Sequence, residues 1–272
     1  MENNREIWEE IEAVTSKYNA LNLKEAIDYE KFYIYSLITH STAIEGSTLD
    51  DTDTQLLLDD GITAKGKPLE HHLMVKDNYD AIMFAMYEAN IKTPITPEFL
   101  IDLNAKVMKH TGGRHEAIGG SFDSSKGEFR KLSVFSRGGM SYMDYKKVSE
   151  AVDFLCFELG KALPHALTLQ EKYNISFDAH LNLVTIHPWA DGNGRTSRLL
   201  MNYIQFYYGI TPSKVFKEDK TEYIEALKQS QKTENNTPFR NFMAKQHLKL
   251  LNEEIQNFEK SQIISNGFKV RF

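Results

Sequence analysis

At 272 residues the chain is long enough to bury a full core, as one large domain or two small ones, and its 41% hydrophobic and 26% charged content is that of an ordinary soluble protein. A net charge of −6 argues against a broad nucleic-acid footprint, which needs clustered Lys and Arg, but leaves room for a small anion site made of a few arginines. The single cysteine, Cys156, sits in an apolar run, so a disulfide framework is excluded and a buried thiol is expected. The N-terminus MENNREIWEEIEAV is charged and amphipathic with no apolar signal core, and no run nears the ~20 apolar residues of a membrane span; the chain reads as cytoplasmic.

Apolar residues recur at helical spacing from Trp8, Ile11, Val14 and Tyr18 onward, then through Phe32, Tyr35, Leu37 and Ile38. Leu73 to Asn90 reads as a helix stopped by Pro94 and Pro97. Thr96 and Pro97 have the chemistry of an N-cap and first helical residue for the next, Glu98 to His110. Val148 to Leu163, Leu169 to His187, Thr196 to Tyr208, Glu222 to Gln231 and Pro238 to Lys260 follow as helices. The glycine-rich segment Gly112 to Tyr142 breaks this rhythm and reads as a loop leading into a short hairpin that turns near Gly138-Gly139. An Asn266-Gly267 pair between apolar runs suggests a small terminal hairpin. The fold expectation is all-α with one inserted β-hairpin, divided as an N-terminal helical region 1–96, a core 97–246 and a C-terminal helix end and tail 247–272.

The most specific string is HPWADGNGRTSR, His187 to Arg198. Pro188 disfavours helical dihedrals at His187, so the preceding helix stops there and presents its imidazole. Gly192 and Gly194 let backbone N–H groups turn toward a ligand, and the helix that begins at Asn193 to Thr196 points its amides and dipole at the same space. Arg195 and Arg198, i and i+3, share a face and add fixed positive charge. Asp191 places one carboxylate beside them, which suits a Mg²⁺ bridging phosphate oxygens. A histidine near a positive helix end stays neutral at pH 7, as a general base must. These parts describe phosphoryl-type transfer from a nucleotide to a hydroxyl. As a lone Gly-Asn-Gly the stretch would be a polar turn, but so many specified positions in twelve residues leave little to coincidence.

The string resembles the signature of the Fic (Fido) family, His-Pro-Phe-x-Asp-Gly-Asn-Gly-Arg-x-x-Arg. Only Trp189 departs from it, where Phe is usual, and that side chain is expected to pack inward. Gly127, Arg130 and Val134 in GEFRKLSV match the family's flap pattern. In the family the flap is a hairpin that docks the target by strand addition, with Leu132 inside it here. The resemblance covers roughly residues 97–246 and implies a protein adenylyltransferase that moves AMP from ATP to a Ser, Thr or Tyr hydroxyl of a target protein. Carried over to matching positions, it makes His187 the base and Asp191 the holder of Mg²⁺ (or Mn²⁺). Gly192, Asn193 and Gly194 become the phosphate cradle, with Arg195 close to the phosphates, and Arg198 the anchor of the γ-phosphate. Glycine at 194 separates the chain from a kinase-like branch that carries lysine there. Asn202, one turn past Arg198, and Tyr223 are weaker candidates for lining the nucleoside pocket. His180 and His187 lie seven apart on one helical face, but without a third ligand at useful spacing packing is the preferred reading of His180.

STAIEG, Ser41 to Gly46, ends a helical pattern and alone would be an exposed Glu before a helix-stopping Gly. At Ser41, Glu45 and Gly46 it matches the family's inhibitory pattern, Ser/Thr-x-x-x-Glu-Gly/Asn, which implies inhibition in cis through Glu45 and Arg198. Three other readings stand beside this one. The same site could remove AMP, with Glu45 positioning water; the chain could be a non-catalytic nucleotide-binding regulator, against which the intact His187 argues; or it could be a DNA-binding regulator, against which its acidity argues. Partners are therefore ATP and a target protein that the sequence does not name, with no membrane and no nucleic acid, and a homo-oligomer is left open.

Overall fold

The structure, a computed structural model, describes residues 2–23, 29–135 and 141–267. Among them ten helices run in the order α1 (Glu2–Ala20), α2 (Tyr29–Ile44), α3 (Asp51–Asp60), α4 (Leu69–Asn90), α5 (Pro97–Val107), α6 (Val148–Ala162), α7 (Leu169–Ile186), α8 (Asn193–Tyr207), α9 (Lys220–Thr233) and α10 (Thr237–Gly267). Two two-residue strands, β1 (Arg114–His115) and β2 (Phe122–Asp123), pair antiparallel between α5 and α6. No described helix is long and apolar enough to cross a membrane.

Helix ends have local causes. Thr96 caps α5 by accepting from the Phe99 amide, with Pro97 inside the first turn, as its sequence predicts. Thr168 and Glu171 close a capping box at α7. Sequence periodicity passes over α3, whose Leu56, Leu57 and Leu58 form a run rather than a spaced stripe. It is fixed instead by an Asp50–Asp53 capping box and by Gly61 in the left-handed region (φ 70°). The C-terminal helix also outruns its expected end: α10 packs Leu251 and Ile255 against Tyr18 and Leu23 of the N-terminal region. A helix already nucleated extends at little cost, so Asn266 and Gly267 are helical and the terminal hairpin turn expected there is not formed.

The core is organised around α8, in which every residue from Asn193 to Gln205 except Gly194 is buried. It lies against α4, α5 and α7, and α2 touches it from the N-terminal region. One apolar cluster joins Ile38 of α2, Val75 and Ile82 of α4, Leu103 of α5, Val152 of α6, Leu183 of α7 and Leu200 of α8. A second closes over the other side of α7, where Trp8 and Ile11 meet Tyr173, Phe177, Tyr223 and Phe239. Burying such side chains is worth about 1.5–3 kcal/mol each, so the N-terminal helices are fixed to the rest by packing rather than by the few surface ion pairs. Cys156 is buried as expected, and burial pushes its thiol up to about 12.

Among the described residues the inserted hairpin shows, beyond the β1–β2 pair, an isolated antiparallel bridge, Phe135 with Ser141, and a bond from the Tyr142 amide to the Val134 carbonyl. The expected turn at Gly138-Gly139 lies outside the described residues. On the α6 side of this bridge the carbonyls of Leu132 and Met143 accept from the Arg130 guanidinium at 2.9 and 2.6 Å rather than from each other's strand.

Candidate active site

The end of α7 brings the signature loop into place. His187 is its C-cap in the left-handed region (φ 53°, ψ 60°), one of four non-glycine residues with positive φ among those described. Pro188 explains why the helix cannot continue, and the left-handed step turns the imidazole into a cavity rather than along the helix. Its Nδ1 lies 3.3 Å from the Val184 carbonyl, so Nδ1 carries the proton and Nε2 the lone pair. The Tyr142 ring lies flat on the imidazole, with centroids 3.8 Å apart and planes 14° from parallel. Arg130 holds the loop from behind: Nε donates to the His187 carbonyl at 2.7 Å and its amide to the Pro188 carbonyl at 3.0 Å.

Past His187 the chain braces itself. Trp189 is fully buried, as expected, and its indole N–H donates to the Gly127 carbonyl at 2.8 Å. Asn193 closes the turn with its side-chain amide, accepting from the Trp189 amide at 3.0 Å and donating to the Trp189 carbonyl at 2.9 Å. Only its backbone remains for a ligand. Gly192 caps α8 at φ 80°, where a Cβ would press within 2.8 Å of Asn104 Nδ2 and Met108 Sδ. Asn193 and Gly194, whose amides are among those that the start of a helix leaves unpaired, line the cavity.

Arg198 is the buried charge at the centre. Its Nε donates to Ser41 Oγ at 2.9 Å, Nη2 to the Ser41 carbonyl at 2.9 Å and to Glu45 Oε1 at 2.7 Å, and Nη1 to the Tyr223 hydroxyl at 3.4 Å. Glu45 arrives there because α2 stops at Ile44 and Gly46 takes φ 111°. The Ser47 amide folds back onto the Thr42 carbonyl. Ser41, Glu45 and Arg198 thus meet at one point from two distant strings.

The cavity, about 470 Å³, is lined by Glu45, Tyr142, His187, Asp191, Gly194 and Arg198 among others, a volume suited to a small ligand. The structure separates other candidates from it. Arg195 is buried with its guanidinium turned to the end of α5, 3.4 Å from the Val107 carbonyl, so it acts on the cavity through its field and not by contact. Asn202 is also displaced, because its amide donates to the Ser213 carbonyl at 2.8 Å and to Gln205 Oε1 at 3.2 Å, bracing the loop after α8. Gly127 and Arg130 likewise hold the flap rather than present it: Arg130 is 1% exposed, and a Cβ at Gly127 would collide with the Ile101 carbonyl. Leu132 and Val134 are half-buried beside the exposed Phe135.

The model of the Fic/DOC family matches residues 94–205. Protein adenylyltransferase Fic of Drosophila melanogaster is 30% identical over 226 residues, covering 80% of this chain and 42% of that protein, and its Drosophila yakuba counterpart is 31% identical over 191 residues. The chain thus spans less than half the length of the curated relatives it matches. Among solved structures, residues 134–508 of Fic-1 from C. elegans superpose with a TM-score of 0.74 at 21% identity, covering 95% of this chain and 74% of that one. A Fic domain containing signaling protein from Bacteroides thetaiotaomicron gives 0.73 at 24%, covering 91% and 96%. The chain belongs to the Fic/DOC family.

The electrostatics of this Fic site are set by burial and by one ion pair. Burial depresses His187 to about 4, and Arg130 adds to this against the Val184 carbonyl, Glu45 and Asp191. Burial pushes the Glu45 carboxyl up, but the charge and hydrogen bond of Arg198, with Arg195 and Lys220 behind, hold it below its ordinary value. Asp191 projects from the loop with its side chain 70% exposed, one oxygen accepting from the Gly192 amide at 2.6 Å and lying 3.6 Å from Arg195. Sequence reasoning missed several lining residues. Lys220, Ile224, Leu227, Lys228 and Gln231 share the Tyr223 face of α9, and their i, i+4, i+7 spacing was the available signal. Tyr142 had none, since its stacking on His187 depends on the fold of the flap.

Proposed function

We propose that this Fic protein is an adenylyltransferase that moves AMP from ATP to a Ser, Thr or Tyr hydroxyl of a target protein, and that Glu45 inhibits it in cis. The observation that carries the reading is that a histidine with a free Nε2 lone pair, an amide cradle at the α8 N-terminus and the Arg198 guanidinium line one cavity. With the terminal phosphate on Arg198 and the inner phosphates on the amides of Gly194 and its neighbours, the α-phosphorus faces His187. The target hydroxyl oxygen bonds to that phosphorus, His187 Nε2 takes the hydroxyl proton, and the bond to the β-phosphate oxygen breaks with its electron pair leaving on pyrophosphate. Neutral His187 at pH 7 suits this role.

The donor set also fits a magnesium or manganese ion held by Asp191. One exposed carboxylate at the mouth of an anion cradle, with no cluster of three His, Cys, Asp or Glu among the described residues, suits a hard cation that takes its other ligands from phosphate and water. Such an ion would neutralise charge developing on the leaving phosphates. The flap edge at Leu132 to Val134 would align the target by strand addition.

Incubation with ATP labelled at the α- or the γ-phosphate tests the reading directly: protein should retain the α label and release the γ label with pyrophosphate. Retention of the γ label would make the chain a kinase, and retention of neither a binding protein. Removal of AMP is the second reading, favoured by the ionised Glu45 carboxylate in the same cavity as His187. It predicts loss of α label from a modified target.

A further inference from the structure

Two buried residues behind Arg198 have no part in the reaction just described. The Tyr223 hydroxyl lies 3.4 Å from Arg198 Nη1 and 2.9 Å from His180 Nε2. Tyr223 is 2% exposed and His180 is fully buried, stacked at 4.9 Å on Phe239 of α10. A guanidinium has only protons to give, so the Tyr223 oxygen accepts from Arg198 and its own proton goes to His180 Nε2. That direction requires Nε2 to carry a lone pair, which puts the imidazole proton on Nδ1. Nδ1 is buried without a hydrogen-bond partner, a cost this tautomer bears.

We infer that Tyr223 and His180 are positioning residues for Arg198: His180 orients the Tyr223 hydroxyl so that its lone pair faces the guanidinium and holds Nη1 in place whether or not Glu45 is seated. Of the four acceptors around Arg198, two belong to Ser41 and one to Glu45, all on the segment that would shift if inhibition were relieved. Tyr223 is the acceptor that comes from elsewhere, on α9. His180 is anchored in turn by α7 and by Phe239, so the chain α7–His180–Tyr223–Arg198 ties the guanidinium to the rigid core. Burial and the neighbouring Arg198 charge depress His180 to about 3, which keeps it neutral and the chain in this direction across the physiological range. A protonated His180 would donate to the Tyr223 oxygen and turn the hydroxyl proton toward Arg198, reversing the contact.

The inference rests on the reading that Arg198 receives the terminal phosphate, so its readout is the preference for ATP over ADP. Binding of both nucleotides is measured by calorimetry with Mg²⁺ in the Glu45→Gly protein, where that phosphate can seat. Arg198→Ala should erase the preference. Tyr223→Phe keeps the ring and should cut the preference about 5- to 10-fold, the value of one ordinary hydrogen bond, with ADP affinity unchanged. His180→Leu should give a similar but smaller loss, and His180→Gln, which restores an acceptor, should recover most of it. Equal weakening of ATP and ADP by Tyr223→Phe would overturn the inference and make Tyr223 a nucleoside contact. An unchanged preference in Tyr223→Phe, with Arg198→Ala still erasing it, would overturn the positioning role alone. If Arg198→Ala itself leaves the preference intact, the phosphate reading fails and the inference falls with it.

Discussion

Glu45 Oε1 lies 2.7 Å from Arg198 Nη2 across 153 residues of sequence, and the same oxygen covers the α-carbon of Gly194, where any Cβ would collide with it. One carboxylate therefore occupies both the guanidinium and the front of the amide cradle, the two places that the proposed reaction gives to a nucleotide's phosphates. Inhibition by a factor of about 100 requires a preference of only ~2.7 kcal/mol for the displaced nucleotide, within reach of one charge-assisted pair. Glu45→Gly should raise incorporation of α-labelled AMP by about that factor. Glu45→Gly with Arg198→Ala should lose the gain. Equal labelling by wild type and Glu45→Gly would make Ser41 to Gly46 an ordinary helix end.

The pH dependence of transfer should be that of a depressed base. As the proposed base His187 would work in its neutral form, which prevails above its folded value of about 4 rather than above the usual 6.5. Transfer by Glu45→Gly protein should stay level from pH 8 down to about 5 and fall only near 4. His187→Ala should lose on the order of 10²–10⁴ in rate while ATP affinity changes little. A midpoint near 6.5 for the acid limb would mean that the imidazole opens to water during turnover.

How much of this was legible in the sequence differs between backbone and side chains. The all-α fold, the Thr96–Pro97 start and the stop at His187 follow from local periodicity and capping, which are short-range. The meeting of Ser41 and Glu45 with Arg198 was legible only because both strings carry family patterns; no spacing rule links positions 153 apart. Arg195 and Asn202 were misplaced for a common reason. A stripe read from i, i+3 and i+4 spacing assumes one ligand-facing side, but α8 is buried on nearly all sides, so its polar groups bond to different neighbours. The short hairpin was readable, and the bonds from Arg130 to the carbonyls of both its arms were not, because they depend on how the segment folds.

Three further histidines make the fold acid-sensitive. Burial depresses His40, His180 and His247 to about 3 each, with Lys214 assisting at His40 and Arg198 at His180. Below pH 6.5 the unfolded chain takes up protons that the folded chain refuses, so stability falls with pH between 6.5 and 3. At pH 5 the loss is on the order of 1–2 kcal/mol per histidine, and the thermal midpoint should drop by roughly 10 °C from its value at pH 7. A midpoint unchanged over that range would show that these rings are accessible to water in the native state.

Nucleotide binding should depend on a divalent ion through Asp191. ATP affinity measured by calorimetry should fall sharply in EDTA, and Asp191→Ala should bind in Mg²⁺ as the wild type does without it. Because the Asp191 side chain is 70% exposed, the substitution should leave the thermal midpoint nearly unchanged. A variant that remains fully Mg²⁺-responsive would leave Asp191 only its bond to the Gly192 amide.

Arg130 separates a structural role from a docking role. Its guanidinium gives hydrogen bonds to the carbonyls of His187, Leu132 and Met143, so one side chain ties the signature loop to both arms of the flap. Arg130→Met keeps the stem but leaves those carbonyls without their donors in a buried place, which should cost roughly 3–5 kcal/mol. Arg130→Lys, a point charge without the planar fork, can reach few of the three and should recover little of the loss. Transfer should fall in both variants, with the His187 carbonyl released. A docking contact would behave differently: target labelling would drop while the urea midpoint and ATP binding held. The measurement is therefore the urea midpoint alongside labelling in each variant, and a wild-type midpoint in Arg130→Met would mean that the guanidinium acts on the target and not on the loop.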